Sequence, residues 1–217
     1  MIKMLELVFI LDRSGSMAGL ETDTIGGFNA MLQQQRQATG TAVVSTVLFD
    51  HKSEVIHDRV AIAAVPELTH QTYFVRGSTA LLDAVGGAIH HIGKVHKYAR
   101  QTAVPEKTLF IITTDGMENA SHRYSYSQVR HMIDRQKARY GWEFLFLGAN
   151  IDAAAEAERF GIDESRAVSY LSDAAGTALN YEVISETITR VRAGGAPLPA
   201  EWKQKIEADY RQRGANR

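Results

Sequence analysis

The 217-residue chain contains no cysteine. That absence excludes disulfides, thiolate-held zinc and thiol nucleophiles together. Long apolar runs are missing too. The run Leu7–Leu11 near the start falls far short of the roughly 20 apolar residues that a membrane span needs. It lacks a basic flank and a small-residue cleavage site, so it reads as a buried strand and not as a signal peptide. The expectation is a cytoplasmic protein without membrane contact. Neither sign of charge dominates: 24 Lys plus Arg stand against 25 Asp plus Glu, a formal net charge of −1. A nucleic-acid binder needs a clustered basic excess for its phosphate contacts, which sets that class aside. Prolines number only four, and no repeat or low-complexity tract occurs. What remains is the composition of a soluble globular chain, 45% apolar and 23% charged.

Apolar runs alternate with helix-period segments almost to the end. Strands are expected at Leu5–Leu11, Ala42–Phe49, Glu54–Ile62, Thr108–Thr113, Glu143–Leu147 and Ala167–Leu171. Runs such as LVFIL and EFLFL suit parallel strands covered on both faces. Leu81, Val85, Ile89, Ile92 and His96 step by threes and fours, as do Val129, Met132, Ile133 and Gln136. Gly141 is a natural C-terminal stop. Ile25, Phe28 and Leu32 share one face of a helix over Glu21–Arg36, and Asp173–Arg192 reads as a helix stopped by Gly194 and Gly195. Between the second and third strands lie only Asp50, His51 and Lys52, too few for a parallel crossover, so that pair must be an antiparallel hairpin. The expected fold is α/β: a doubly wound, open, mostly parallel six-stranded sheet with one antiparallel edge strand, plus a C-terminal helical extension. Residues 1–195 form the domain. Residues 196–217 form an APLP linker and a charged helix over Glu201–Arg213, with Trp202, Ile206 and Tyr210 on one stripe.

In open α/β sheets, ligands bind beyond the carboxyl ends of the strands. After the first strand comes Asp12-Arg13-Ser14-Gly15-Ser16-Met17, and after the fourth Thr113-Thr114-Asp115-Gly116. A third polar loop, Arg76-Gly77-Ser78-Thr79, precedes a helix. Carboxylates and hydroxyls with few charges suit a hard cation such as Mg²⁺. Bland alternatives stand beside this one. Asp12 and Ser14 also suit a helix N-cap, as does Thr79, and Asp115-Gly116 suits a plain turn.

These residues carry a family resemblance. Asp12, Ser14 and Ser16 in a D-x-S-x-S pattern, Thr79 in the later loop and Asp115 in T-D-G resemble the metal-ion-dependent adhesion site of von Willebrand factor A domains. The TDGMEN and GSTALLDAV stretches are similar to intracellular bacterial members. The resemblance covers about residues 1–195. It implies that Ser14 and Ser16 ligate the ion directly, Asp12 and Asp115 partly through water, and Thr79 either way. A sixth position is left for a carboxylate from a partner.

The expected function is therefore a Mg²⁺-dependent protein-binding module, with Mn²⁺ or Ca²⁺ as alternatives, that recognises an Asp or Glu of a partner protein through the metal. Met17, Ser78, Glu118 and His122 are the expected contact rim. A metal-dependent phosphohydrolase and a scaffold with a structural ion are the competing readings. The first would want a second Asp where Ser14 stands. A P-loop and a G-x-S-x-G elbow are both absent, and no enzymatic activity is expected. His90, His91 and His96 lie on one helix without the four-residue spacing of a metal pair.

Overall fold

The computed structural model describes residues 3–194 and 198–214. Six strands run β1 (Met4–Asp12), β2 (Thr41–Phe49), β3 (Ser53–Ala61), β4 (Lys107–Thr114), β5 (Glu143–Ala149) and β6 (Ala167–Tyr170). Their order in the sheet is β3-β2-β1-β4-β5-β6. Only the β2–β3 pair at one edge is antiparallel. The helices are α1 (Glu21–Gln37), α2 (Leu81–Tyr98), α3 (Tyr126–Tyr140), α4 (Ala153–Arg159), α5 (Ala174–Arg192) and α6 (Gln204–Gly214). Both the expected α/β sheet and its antiparallel edge are present. Among the described residues no helix is long and apolar enough to cross a membrane.

Alternation along β1 divides the core. Leu5, Leu7, Phe9 and Leu11 pack with Phe28 and Leu32 of α1 and with Ile184 and Ile188 of α5. Val8 and Ile10 point the other way, against Val85 and Ile89 of α2 and Val129 and Ile133 of α3. Side chains two apart share a face of a strand, so one apolar run serves both layers. Each such buried side chain contributes about 1.5–3 kcal/mol, and a polar residue at Phe9 or Ile10 would break a layer.

Helix ends follow local chemistry. Ser125 and Gln128 form a reciprocal capping box at the start of α3. Gly141 ends that helix at φ 63°, a left-handed turn that disfavours residues with a Cβ. The start of α2 has no cap of its own. The domain boundary and the first linker residues, 195–197, lie outside the described residues, as does Gly195.

The C-terminal extension packs into the same core. Trp202 and Ile206 are buried, and the Trp202 indole N–H donates to Ser165 O at 2.8 Å. Tyr210 is 40% exposed, so the expected stripe holds for only two of its three members. α6 lies against β6 and α5. There Lys203 Nζ donates to Ala167 O at 2.9 Å, covering the second edge of the sheet.

Candidate metal centre

β1 and β4 are parallel neighbours, with Leu11 opposite Thr113. Their carboxyl ends therefore release loops side by side, which places Asp12 and Asp115 in one crevice. The loop from Arg76 to Ala80 docks onto the first of these. Gly15 N–H donates to Gly77 O at 3.0 Å, and Arg76 N–H to Arg13 O at 2.9 Å. Asn119 holds Thr79: its Oδ1 accepts the Thr79 N–H at 2.9 Å, while its own N–H donates to Thr79 O at 3.0 Å. Three loops distant in sequence are thus joined through backbone groups.

The oxygens converge. Ser14 Oγ lies 3.0 Å from Ser16 Oγ. A Cβ placed on Gly116 would sit 3.2 Å from both Ser16 Oγ and Thr79 Oγ1, so a side chain there would crowd the cradle. Asp12 Oδ1 accepts the Ser14 N–H at 2.7 Å and its Oδ2 the Thr114 hydroxyl at 2.6 Å. Asp115 Oδ2 accepts the Ser172 hydroxyl at 2.9 Å, while its Oδ1 is buried without a hydrogen-bond partner. Asp12, Ser14, Thr79 and Asp115 are all buried; Ser16 is exposed. Burial pushes the Asp12 carboxyl above its ordinary value, hydrogen bonds from Thr114 and Ser14 oppose this, and the Asp115 charge adds to the rise. Among the described residues no basic side chain pairs with either carboxylate.

Two buried, unpaired carboxylates side by side are costly without a cation. The donor set is all oxygen, small and partly neutral, which fits a hard divalent ion. Among the described residues no three His, Cys, Asp or Glu side chains cluster as a metal site. Any ion here would therefore depend on the Ser and Thr hydroxyls.

The helix-cap readings of these loops fail on geometry. Ser14 precedes a single 3-10 turn and makes no side-chain cap bond. The residue before α1 is Leu20 and that before α2 is Ala80, neither of them a side-chain cap. Glu118 and Ser121 cap α2 instead. Glu118 Oε2 accepts the Leu82 N–H at 2.8 Å and Ser121 Oγ accepts the Asp83 N–H at 3.0 Å.

The four residues of the expected rim differ in their surroundings. Glu118 also accepts the N–H groups of Ala120 and Ser121, so its carboxylate is engaged within the fold. Met17 is buried, because the turn that follows Ser14 folds its apolar side chain inward. Ser78 and His122 are exposed. The helix histidines do not assemble: His91 pairs with Asp58 at the surface and His96 with Glu6.

Thr114, Ser172 and Asn119 support the centre; Thr114 and Asn119 stand in the TDGMEN stretch, whereas Ser172 carried no motif signal. Asp50 carried none either. Its carboxylate is fully buried in the β2–β3 turn. It accepts Arg13 Nε at 2.9 Å, Arg76 Nε at 2.8 Å and the Lys52 N–H at 3.0 Å. Its carbonyl accepts the Ala80 N–H at 2.8 Å. One residue therefore ties the Asp12 loop to the Thr79 loop. Burial alone would raise its carboxyl, but the bonds from Arg76, Lys52 and Arg13 hold it below the ordinary value.

No protein-family model matches the sequence, and no curated protein sequence does. Solved structures do. The von Willebrand factor domain of the type V pili tip protein Mfa5 from Porphyromonas gingivalis superposes with a TM-score of 0.62 at 11% identity, over 91% of this chain and 99% of that one. The fold is that of a von Willebrand factor A domain. The same A-type fold relates the chain to proximal thread matrix protein 1 from mussel byssus, solved with zinc in its metal-ion-dependent adhesion motif. There the TM-score is 0.60 and the identity 15%, over 87% of this chain and 46% of that one. It relates it also to the PilB minor pilin of Streptococcus sanguinis, at TM-score 0.59 and 10% identity over 91% and 64%. This chain thus spans about half to two-thirds of the length of those last two proteins.

Proposed function

We propose that this chain is a cation-dependent protein-binding module, working in the cytoplasm without enzymatic activity, in which Asp12, Ser14, Ser16, Thr79 and Asp115 hold Mg²⁺. Mn²⁺ and Ca²⁺ are the alternatives. The observation that carries the reading is Asp115 Oδ1, buried and without a partner, beside a second buried carboxylate and within a cradle of hydroxyls. A buried polar atom left unpaired in a native fold calls for an unseen ion or water. Divalent-metal binding on the same fold, in the byssus protein whose adhesion motif holds zinc, supports the choice of an ion.

When bound, the cation supplies an electrophilic position that an Asp or Glu side chain of a partner protein can fill. The chain's own residues prepare for it. Thr114 and the Ser14 N–H orient Asp12, Ser172 orients Asp115, and Asn119 fixes Thr79. Of the expected rim, Ser78 and His122 are the exposed members and would be the ones to meet a partner. Ser14 stands where a phosphohydrolase would need an acid, and a hydroxyl is a poor proton donor.

The test combines melting curves with affinity capture. Mg²⁺ should raise the melting temperature, and Asp12→Ala should remove most of the rise. A captured partner should be released by chelator and lost in Ser14→Ala. Melting curves that do not move in Mg²⁺, Mn²⁺ or Ca²⁺ would overturn the metal centre. A melting response with chelator-resistant capture would favour a structural ion. Hydrolysis of a chromogenic phosphate ester, lost in Asp12→Ala, would favour the hydrolase.

A further inference from the structure

Far from the metal loops, at the amino-terminal end of the parallel strands, α2 and α3 part around a cavity of about 830 Å³. That is within the range of small-molecule sites, about 300–1,000 Å³. The gap has a local origin. Past Ile89 on α2 comes Gly93, with no side chain to fill the space, and a Cβ there would meet only Gln136 Nε2 of α3 at 3.5 Å.

The lining is apolar at heart and basic around it. Trp142 forms a wall, stacked on Phe110 with ring centroids 5.2 Å apart and with the His96 ring edge-on at 5.4 Å. Ile89 and Met132 add aliphatic surface. Lys94, Lys97 and Arg135, all exposed, line it as well. The carboxylate in the lining, Glu106, already accepts the Lys3 N–H at 2.8 Å.

Two polar groups are left over. Among the described residues the Gln136 carboxamide makes no hydrogen bond, and its Oε1 is buried. His96 is tied through Nε2 to the fully buried Glu6, which Arg59 Nε also meets at 2.7 Å. This fixes the ring, and among the described residues Nδ1 makes no hydrogen bond.

We propose that this cavity binds a small amphipathic organic anion. Its flat or aliphatic body lies against Met132 and Tyr140, in front of the buried Trp142, its negative group meets Lys94 and Arg135, and a donor on it satisfies Gln136. The apolar lining disfavours compact hydrophilic anions such as free phosphate, which would leave Met132 and Tyr140 uncovered. The site is independent of the metal reading, because none of its residues belongs to the three metal loops.

The test uses the whole protein, with anilinonaphthalene sulfonate as fluorescent probe and decanoate as competitor, in Mg²⁺ and in chelator. Expected are saturable one-to-one binding, displacement by decanoate but not by decanol, and no effect of chelator. Gly93→Leu sends a side chain into the space at a position where leucine favours the helix, and should weaken binding at least tenfold. Lys94→Glu combined with Arg135→Glu should do the same and reduce the salt dependence. Both changed positions are exposed, so this double variant decides the matter if Gly93→Leu disturbs folding. Binding unaltered by the variants, equal displacement by decanol, or no saturable binding would each overturn the proposal and leave a hydrated cleft.

Discussion

Asp50 lies outside the metal loops yet joins two of them, and Asp50→Asn is the change that measures what that is worth. The substitution keeps the shape and removes the charge that two guanidinium groups share. Arg13 is fully buried, and its other carboxylate contact, Glu54 at 2.7 Å, is with a side chain 55% exposed. Removing one partner of a buried ion pair costs about 3–5 kcal/mol, because the other charge stays buried. Since Glu54 still reaches Arg13 and Arg76 is itself part-exposed, the lower end applies, about 3 kcal/mol. At about 2–4 °C per kcal/mol for a domain of this size, the melting temperature should fall by about 6–12 °C. The carboxyl is held below its ordinary value in the fold. Its contribution is therefore complete above the unfolded value near 3.9 and is lost only as pH falls through the lower folded value. The difference between parent and variant should accordingly be flat from about pH 5 to 8. Glu54→Gln is the control, since an exposed partner contributes about 0.5 kcal/mol. Because Asp50 joins the Asp12 and Thr79 loops, the Mg²⁺ response should shrink in Asp50→Asn and not in Glu54→Gln. Thermal melts of the three proteins with and without Mg²⁺ suffice. An Asp50→Asn protein melting within about 1 °C of the parent would refute the reasoning.

Mg²⁺ at ten times its Kd should stabilise the parent by about 1.4 kcal/mol, a rise of about 3–6 °C by calorimetry. Asp115→Asn should abolish that rise while melting higher than the parent in chelator, since it removes a buried charge beside Asp12; a lower melting point there would count against an unpaired carboxylate. His57 is buried against Thr46 Oγ1 at 3.0 Å, and burial lowers its pKa from 6.5. Its unfolded form therefore binds a proton first, and stability should fall as pH drops below about 6.5, a slope in urea midpoints that His57→Gln should flatten. Trp202→Ala should cost about 3–5 kcal/mol in urea unfolding, from a cavity under the C-terminal helix, whereas Tyr210→Ala should stay within about 0.5 kcal/mol.

Much of the fold was legible because one apolar run per strand must serve two core layers. Leu5 to Leu11 announces a doubly covered strand without help from any partner. The three residues between β2 and β3 dictate an antiparallel turn by length alone. Gly141 marks a helix end by its backbone freedom. The loops of the candidate centre stood out for a related reason, since Asp12 and Asp115 come soon after apolar runs whose carboxyl ends are where an open α/β sheet binds ligands. What supports the centre was not legible. Ser172 is 57 residues from Asp115, Asn119 is 40 from Thr79, and Asp50 is 37 from Arg13. Such pairings depend on loop paths that no periodicity encodes. The surroundings of two expected rim residues were hidden for the same reason. Glu118 looks like a free acid in sequence, and only the uncapped start of α2 explains where its oxygens go. Met17 looks available until the turn after Ser14 folds it inward.

The two edges of the sheet are guarded by different means. β3 carries Glu54, Asp58 and Arg59 along its length and an irregular register against β2, features that make a poor template for another strand. β6 is short and mostly buried, and its guard is α6, anchored by Trp202, Ile206 and the Lys203 ammonium on Ala167 O. Loss of that helix would strip an apolar strand of its cover and leave backbone donors and acceptors open to a neighbouring molecule. The C-terminal helix thus serves colloidal behaviour as much as folding: it keeps a six-stranded sheet from becoming a twelve-stranded one.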